Sequence, residues 1–265
     1  RRLDGLPLAI ELAAASPTTA PDRSTLDAVF AWSWELLGAA EQSAIGQCTV
    51  FHGRFVLAAA EEVVRTALPT ADLLATLVDR GWLQIEPDKA GPCWYRMLDP
   101  VRTFVAARAT DLPAAPLRSA RHFAALGHRS RIPHAPPSPM LADLVASLRY
   151  GVDVGDGDLV VGAALGAAAT LFRHGPLATG RDLLRQALRI RPEDPWLLSR
   201  LALVMDDAFG VGEGLDTAER AVTSARATND PAAVTEALRV WGSQLRNLGD
   251  ARAERVLRQA SALAA

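Results

Sequence analysis

Along most of this chain, apolar residues recur every three or four positions, the spacing of a single buried helix face. A short apolar helix is expected from about Leu6 to Ala15, followed by the loop Ser16-Pro17-Thr18-Thr19-Ala20-Pro21. Ser24, with Asp27 three residues on, has the form of a capping box and opens a helix with Leu26, Val29, Phe30, Trp34 and Leu37 on one face. Gly38 ends it. A second helix covers Ala39–Phe51, and after His52-Gly53-Arg54 a third runs from Leu57 to Leu68, where Pro69 stops it. Thr70 caps a fourth, with Leu73, Leu74, Leu77 and Val78 as its stripe and Gly81 as its stop. The period then changes. Trp82–Glu86 and Cys93–Met97 alternate with period two, placing Leu83 and Ile85 on one face of the first strand and Cys93, Tyr95 and Met97 on one face of the second. Pro87-Asp88-Lys89-Ala90-Gly91-Pro92 joins them into a β-hairpin. Asp99 caps a further helix, with Pro100 at its first position and Val101, Phe104 and Val105 inward. A helical cluster, a hairpin and a trailing helix predict a winged-helix domain over residues 24–130.

Residues 131–139 hold four prolines and form a linker, since that density cannot continue a helix. Residues 140–265 are helical throughout and repeat themselves. Leu184-Arg185-Gln186-Ala187 recurs as Leu257-Arg258-Gln259-Ala260, with Ala218-Glu219-Arg220-Ala221 between. The alanines Ala187, Ala221 and Ala260 are 34 and 39 residues apart. A 34-residue helix–turn–helix period is that of tetratricopeptide repeats. Gly180, Leu184, Ala187 and Pro192 fall on the small, large, small and proline positions of that repeat's second helix, while the first helices lack its Trp, Gly and Tyr signature. The fold expected is therefore mainly α: a winged helix with a small β-hairpin, then an α-α superhelical, tetratricopeptide-like solenoid. Such a solenoid leaves a concave surface for a partner.

Composition narrows the functions. Hydrophobic residues are 49% and aromatics 6%, which excludes a disordered chain and argues against an all-β fold. The net charge of −2 gives no global attraction to nucleic acid or anionic membrane. The helix placed to enter a major groove, Ala71–Arg80, carries Asp72 and Asp79 against Arg80, and the hairpin offers Lys89 beside Asp88 and Glu86. Groove entry needs several cations, so protein contacts are the expected use of this scaffold and a DNA-binding regulator is the weaker alternative. Cys48 and Cys93 build no disulfide framework or metal spacing, which fits a reducing cytoplasm. The longest apolar run, Leu159–Phe172, is 14 residues, short of a membrane span, and its Gly162 and Gly166 read as close helix packing. The chain begins at Arg1 inside a patterned segment, and its last helix keeps Val256, Leu257 and Leu263, so a longer parent with further repeats is expected.

Leu3-Asp4-Gly5-Leu6-Pro7-Leu8-Ala9-Ile10-Glu11-Leu12-Ala13-Ala14 resembles a signature of the STAND class of signal-transducing ATPases, where it lies in the helical ARC module after the P-loop domain. The resemblance continues in Ala31–Leu37, Thr49–Phe55, Leu77–Leu83 and Tyr95–Arg102, which look like the winged helix of bacterial NB-ARC-like transcriptional regulators whose chains end in tetratricopeptide-like repeats. It covers residues 1 to about 125 by motif and the rest by architecture, giving residues 1–23 as the end of the ARC-like module. It implies a part in signal transduction, with ATP or ADP bound by the parent and an upstream ATPase domain as a partner. It makes Pro7 a peripheral nucleotide contact once that domain is present. Two departures limit the carry-over. No Gly-x-x-x-x-Gly-Lys-Ser/Thr occurs, so the chain is expected to be non-catalytic and without a cofactor of its own. The family's Met-His-Asp motif is matched by Met97-Leu98-Asp99, and leucine cannot donate to a phosphate.

No catalytic or metal constellation is legible. His122 and His128 are six apart and share no helical face at metal spacing, and His174 suits a helix C-terminus. The acid pairs Glu61-Glu62 and Asp206-Asp207 diverge on a helix and read as solvated. Arg181, Arg185 and Arg189 stand at i, i+4 and i+8 and form one basic stripe. It is either a solvated face or a docking stripe for an acidic partner or the ATPase domain. The expected function is a regulatory, protein-interaction fragment of a STAND-type ATPase, with an inducing protein or ligand received by the repeats; a free-standing tetratricopeptide-like scaffold is the alternative.

Overall fold

The computed structural model describes residues 26–86, 91–109, 114–129 and 140–264, apart from the side chains of Leu26 and Asp27. These form thirteen helices and a three-stranded sheet, and they divide into two compact units between His122 and Phe123. The expected helix at Leu6–Ala15, the cap at Ser24, Pro7 and the linker 131–139 lie outside the described residues.

The first unit runs α1 (Leu26–Glu35), α2 (Ala39–Cys48), β1 (Phe55–Val56), α3 (Leu57–Val63), α4 (Thr70–Asp79), β2 (Gln84–Glu86), β3 (Trp94–Arg96) and α5 (Asp99–Ala106), and it includes the start of α6 (Ala115–His128). Helix α4 forms as its pattern requires. Leu73, Leu74 and Leu77 are buried, and Gly81 leaves the helix with φ of 75°, a left-handed value that glycine adopts without strain. Thr70 is the first helical residue, so Pro69 occupies the cap position assigned to it. Likewise Asp99 is the first residue of α5 and Leu98 its cap.

Three expectations are corrected. The third helix stops at Val63 instead of Leu68, because the Gln47 side chain captures the chain there. Arg65 N–H donates to Gln47 Oε1 (2.8 Å) while Gln47 Nε2 donates to the Arg65 carbonyl (3.0 Å). This side chain replaces the bond that Arg65 N–H would have made within the helix and satisfies the Arg65 carbonyl, which Pro69 four residues on has no N–H to reach. Second, the hairpin belongs to a sheet ordered β1-β3-β2, with Phe55 and Ile85 flanking Tyr95. Strand β1 has two residues, too few to show a period. Third, the faces differ from simple alternation: Trp94 is the buried residue of β3, Cys93 is exposed, and Ile85 is 44% exposed while Leu83, just before β2, is buried. The second helix is also shorter, ending at Cys48 instead of Phe51.

The unit's core is aromatic. Phe30, Trp34, Trp82 and Phe104 form one cluster, with Trp34 edge-on to Trp82 at 5.9 Å and Phe30 5.2 Å from Phe104. Phe51 stacks on Phe55 at 4.1 Å. Such pairs add about 0.5–1.5 kcal/mol each beyond burial.

The second unit takes in the end of α6, then α7 (Leu141–Val154), α8 (Gly157–His174), α9 (Leu177–Ile190), α10 (Pro195–Phe209), α11 (Leu215–Ala227), α12 (Pro231–Asn247) and α13 (Ala253–Ala264). From α7 onward each helix packs on the next, and α8 also touches α10, as α10 touches α12. Among the described residues no comparable contact links α9 to α11, so α8, α10 and α12 form the closer layer of the stack. Hairpins pair through small residues: Gly180 of α9 packs on Ala168 and Leu171 of α8, and 34 residues later Gly214 sits against the Ala202 carbonyl of α10. Ala187, Ala221 and Ala260, the repeating alanines, are all buried. Val256 is buried, and both it and Leu257 pack at Gly242. Leu263 is 50% exposed.

Each layer helix also starts alike. Asp156, Asp194 and Asp230 cap α8, α10 and α12, accepting backbone N–H bonds from the first turn, and Pro195 and Pro231 follow two of them. The glycine pair of α8 receives the last turn of α6. A Cβ on Gly127 would overlap the Gly162 carbonyl, and one on Gly162 would overlap the Ala124 carbonyl, so backbones meet directly. Among the described residues no helix is long and apolar enough to cross a membrane.

Candidate functional site

The second unit contains a recess of about 870 Å³ between the end of α6, the first turn of α10, the first half of α12 and the end of α13. Helix α12 builds one wall, because positions 231, 235 and 239 and positions 232 and 236 lie a turn apart on one side. Asp230 fixes the start of that wall through its cap bond to Ala232 N–H (3.0 Å). Thr235 Oγ1 donates to the Pro231 carbonyl (2.8 Å) and so spends its proton within the helix. Trp196 forms the opposite wall. It is held by Asp194, whose Oδ1 accepts from Trp196 N–H and Leu197 N–H at 3.0 Å each. Leu263 and Ala264 close one side, and His128 and Arg129 the other.

The polar groups are ordered. Glu236, only 8% exposed, accepts two bonds from Arg239, from Nε at 2.7 Å and Nη2 at 2.8 Å. This fork-to-fork pair raises the Arg239 pKa, with the hydrogen bond as the main cause. Arg200 of α10 lies close by and is mostly buried. Burial lowers its pKa, attraction from Glu236 opposes that, and repulsion from Arg239 adds to it. His128 Nε2 stands 3.3 Å from Asp158 Oδ1, an ion-pair contact without the alignment of a hydrogen bond. Arginines and carboxylates thus border a recess whose apolar surface includes Trp196, Pro231 and Ala232.

The sequence-derived candidates lie elsewhere. Arg185 and Arg189 are exposed on α9 as the stripe requires. Arg181 is half-buried instead, its guanidinium 4.6 Å above the Phe209 ring and 2.8 Å from Asp182. The acid pair Asp206-Asp207 is not simply solvated. Asp206 Oδ1 accepts from Gly212 N–H (3.0 Å) and Gly214 N–H (3.4 Å), tying the turn between α10 and α11, and Asp207 is raised by burial and by Asp206. Glu61 and Glu62 are exposed. Trp196, Glu236 and Arg239 were not singled out from sequence. Their signal was the recurring Asp-Pro at 194–195 and 230–231, which marks equivalent first turns in the repeat.

In the first unit, α4 exposes Asp72 and Asp79. The hairpin carries Glu86 between Arg54 (3.4 Å) and Arg96 (3.5 Å), so both of these arginines are paired. Cys48 is fully buried beside α5, and burial pushes its thiol up to about 12 against an opposing pull from Arg102. Among the described residues no group of three or more His, Cys, Asp and Glu is placed to hold a metal ion.

No protein-family model matches the chain. Uncharacterized proteins of Mycobacterium tuberculosis and Mycobacterium bovis are 32% identical over 140 residues, covering 42% of this chain and 35% of each relative. The chain thus matches about a third of the length of those curated relatives. Among solved structures, a STAND protein with a tetratricopeptide repeat sensor from Pyrococcus horikoshii aligns with 98% of this chain and 49% of its own, at 14% identity and a TM-score of 0.45.

Proposed function

We propose that this chain is a non-catalytic regulatory and protein-interaction part of a STAND-type signalling ATPase. The first unit serves as a winged helix that holds the ATPase module at rest, and the helical repeats receive an inducer. One observation carries the reading: four segments that resemble STAND regulators in sequence pair off within the first unit. Trp34 from Ala31–Leu37 meets Trp82 from Leu77–Leu83. Phe55 from Thr49–Phe55 stacks on Tyr95 from Tyr95–Arg102 at 5.7 Å. Arg102 Nη1 donates to the Thr49 carbonyl (2.8 Å), a second link between those two segments. Helices α2–α4, with β1 between the first two and the β2–β3 hairpin after the third, support the winged-helix reading, and the exposed Asp72 and Asp79 turn it toward protein and away from DNA.

Nucleotide chemistry belongs, on this reading, to an upstream domain of a cytoplasmic parent. Pro7 would then make a peripheral contact there, and exposed Arg185 and Arg189 would offer docking cations to an acidic face. The test adds this chain in trans to the parent's separately produced ATPase domain and follows phosphate release. Suppression of turnover that Arg185→Glu with Arg189→Glu relieves is the expected result. Mg-ATP bound by the chain alone at micromolar affinity in calorimetry, or a duplex DNA shift that weakens with salt, would overturn it.

A further inference from the structure

We propose that the recess between α6, α10, α12 and α13 is a binding site for a small amphipathic organic acid, with an aromatic or polycyclic body and one carboxylate. The size suits this class, since drug-sized ligands occupy clefts of about 300–1,000 Å³ with mainly apolar walls and few polar groups. The apolar body meets Trp196 on one side and Pro231, Ala232 and Leu263 on the other. A planar ring is favoured by the Trp196 face, held in place by the Asp194 cap.

The charge of the ligand follows from the bookkeeping of the lining. Glu236 is consumed by Arg239 through two short bonds, so that pair is neutral and rigid, and Arg239 keeps Nη1 outside it. Asp230 turns its Oδ1 to its own helix, where the partial positive charge of the α12 N-terminus offsets it. Arg129 is exposed at the edge of the recess, and no ion pair is recorded for it among the described residues. The ionised lining balances, Arg129 and Arg239 against Asp230 and Glu236, but Arg129 stands outside both the ion pair and the cap, and an anionic head beside the apolar wall completes it. A peptide running along the layer is disfavoured, because the last turn of α6 already lies against α8 at Gly162 and Gly166.

That such a ligand acts as the inducer rests on the regulatory reading above; the binding does not. The probe is 1-pyrenebutyrate, titrated into the full chain by fluorescence, with 1-pyrenebutanol as its uncharged counterpart. The acid should bind at micromolar Kd, at least tenfold more tightly than the alcohol. Arg129→Gln should erase most of that preference. Ala232→Trp, at an exposed position that leaves the fold intact by circular dichroism, should fill the recess and weaken the acid more than tenfold. Equal binding of acid and alcohol, indifference to Ala232→Trp, or displacement of the probe by a glutamate-rich peptide at lower concentration would overturn the site, as would no binding at millimolar probe. A bound probe that leaves the parent's ATPase unchanged would instead uphold the site and count against the regulatory reading.

Discussion

In the first unit Trp82, Phe30, Phe51 and Phe55 are the largest fully buried side chains, whereas in the second many fully buried positions are alanines, Ala163, Ala164, Ala167, Ala187, Ala202, Ala218 and Ala221 among them, set beside leucines such as Leu148, Leu184 and Leu197. The first core is filled by a few large groups gathered from distant segments. The second is made by bringing helices close enough for backbones to touch, as at Gly162 and Gly214. The difference predicts opposite sensitivities. A large-group core fails when a side chain is removed, and a small-residue stack fails when one is added.

Trp82→Ala should give the largest effect, about 3–5 kcal/mol of destabilisation, because it removes the ring that touches Phe30, Trp34 and Phe104 together. Cys48 is a built-in reporter, since its thiol is buried and held neutral while Cys93 is exposed. On a Cys93→Ser background, Trp82→Ala should speed the labelling of Cys48 by a thiol reagent at pH 8 by more than a hundredfold. Unchanged labelling would show that the aromatic cluster is not what closes this core.

Gly214→Val tests the other half. The added side chain would collide with the Ala202 carbonyl, and such overpacking costs about 1–3 kcal/mol. Urea melts followed by far-UV dichroism should shift to lower midpoint, with Cys48 labelling left near the wild-type rate. Leucine or alanine removal at a single repeat, by contrast, should be milder here than Trp82→Ala in the first unit, because each repeat interface is one of several nearest-neighbour terms. If Gly214→Val is tolerated while Leu184→Ala unfolds the helices, the stack is held by its large residues after all.

The same contrast explains what the sequence reveals. Periodic signals survive wherever burial repeats along one element, so the Leu73, Leu74, Leu77 stripe of α4 and the alanine recurrence at Ala187, Ala221 and Ala260 were both legible. Features made by one side chain reaching across the fold were not. Gln47 ends α3 from 18 residues away, and its Oε1 also accepts from Arg118 Nη2 (2.8 Å), which no local pattern encodes. Strand β1 exists because β3 pairs with it on the side away from β2. The recess is still less visible, since its lining comes from four helices and its ordered pair, Glu236–Arg239, reads in sequence as an ordinary i, i+3 surface pair. The arginine stripe was visible as a spacing, but its first member is spent on Phe209 and Asp182.

The caps supply a smaller test of the repeat. Asp194→Ala removes the acceptor for Trp196 N–H and Leu197 N–H and should cost about 1 kcal/mol, within the usual range for a lost N-cap. Asp156→Ala and Asp230→Ala should cost similar amounts if the three helix starts are equivalent. Asp194→Asn should recover most of the loss, since the amide oxygen still caps. A loss confined to Asp194 would mean that Trp196, and not the repeat, sets the energetics at that end.

The smallest expected effect is at the turn before α13. Asp250 accepts from Arg252 N–H (2.8 Å) and from the Arg252 guanidinium, where Nη2 approaches Oδ2 at 2.8 Å. These bonds, the side-chain pair first, hold its carboxyl down to about 2. A depressed acid contributes stability that is present above its ordinary range near 4 and is lost as pH falls through its folded value near 2. The contribution should therefore be intact at pH 5 and fade only between about pH 4 and 2. A ¹³C titration of the Asp250 carboxyl should show a midpoint near 2, and the Arg252 Nε–H shift should move with it. Asp250→Asn should abolish that shift and lower the melting temperature slightly at pH 5 but not at pH 2. A midpoint near 4 would mean that the guanidinium does not hold the turn in solution, leaving the stack of α12 on α13 to its apolar core, where Leu238 and Leu245 share a cluster with Val256 and Ala260.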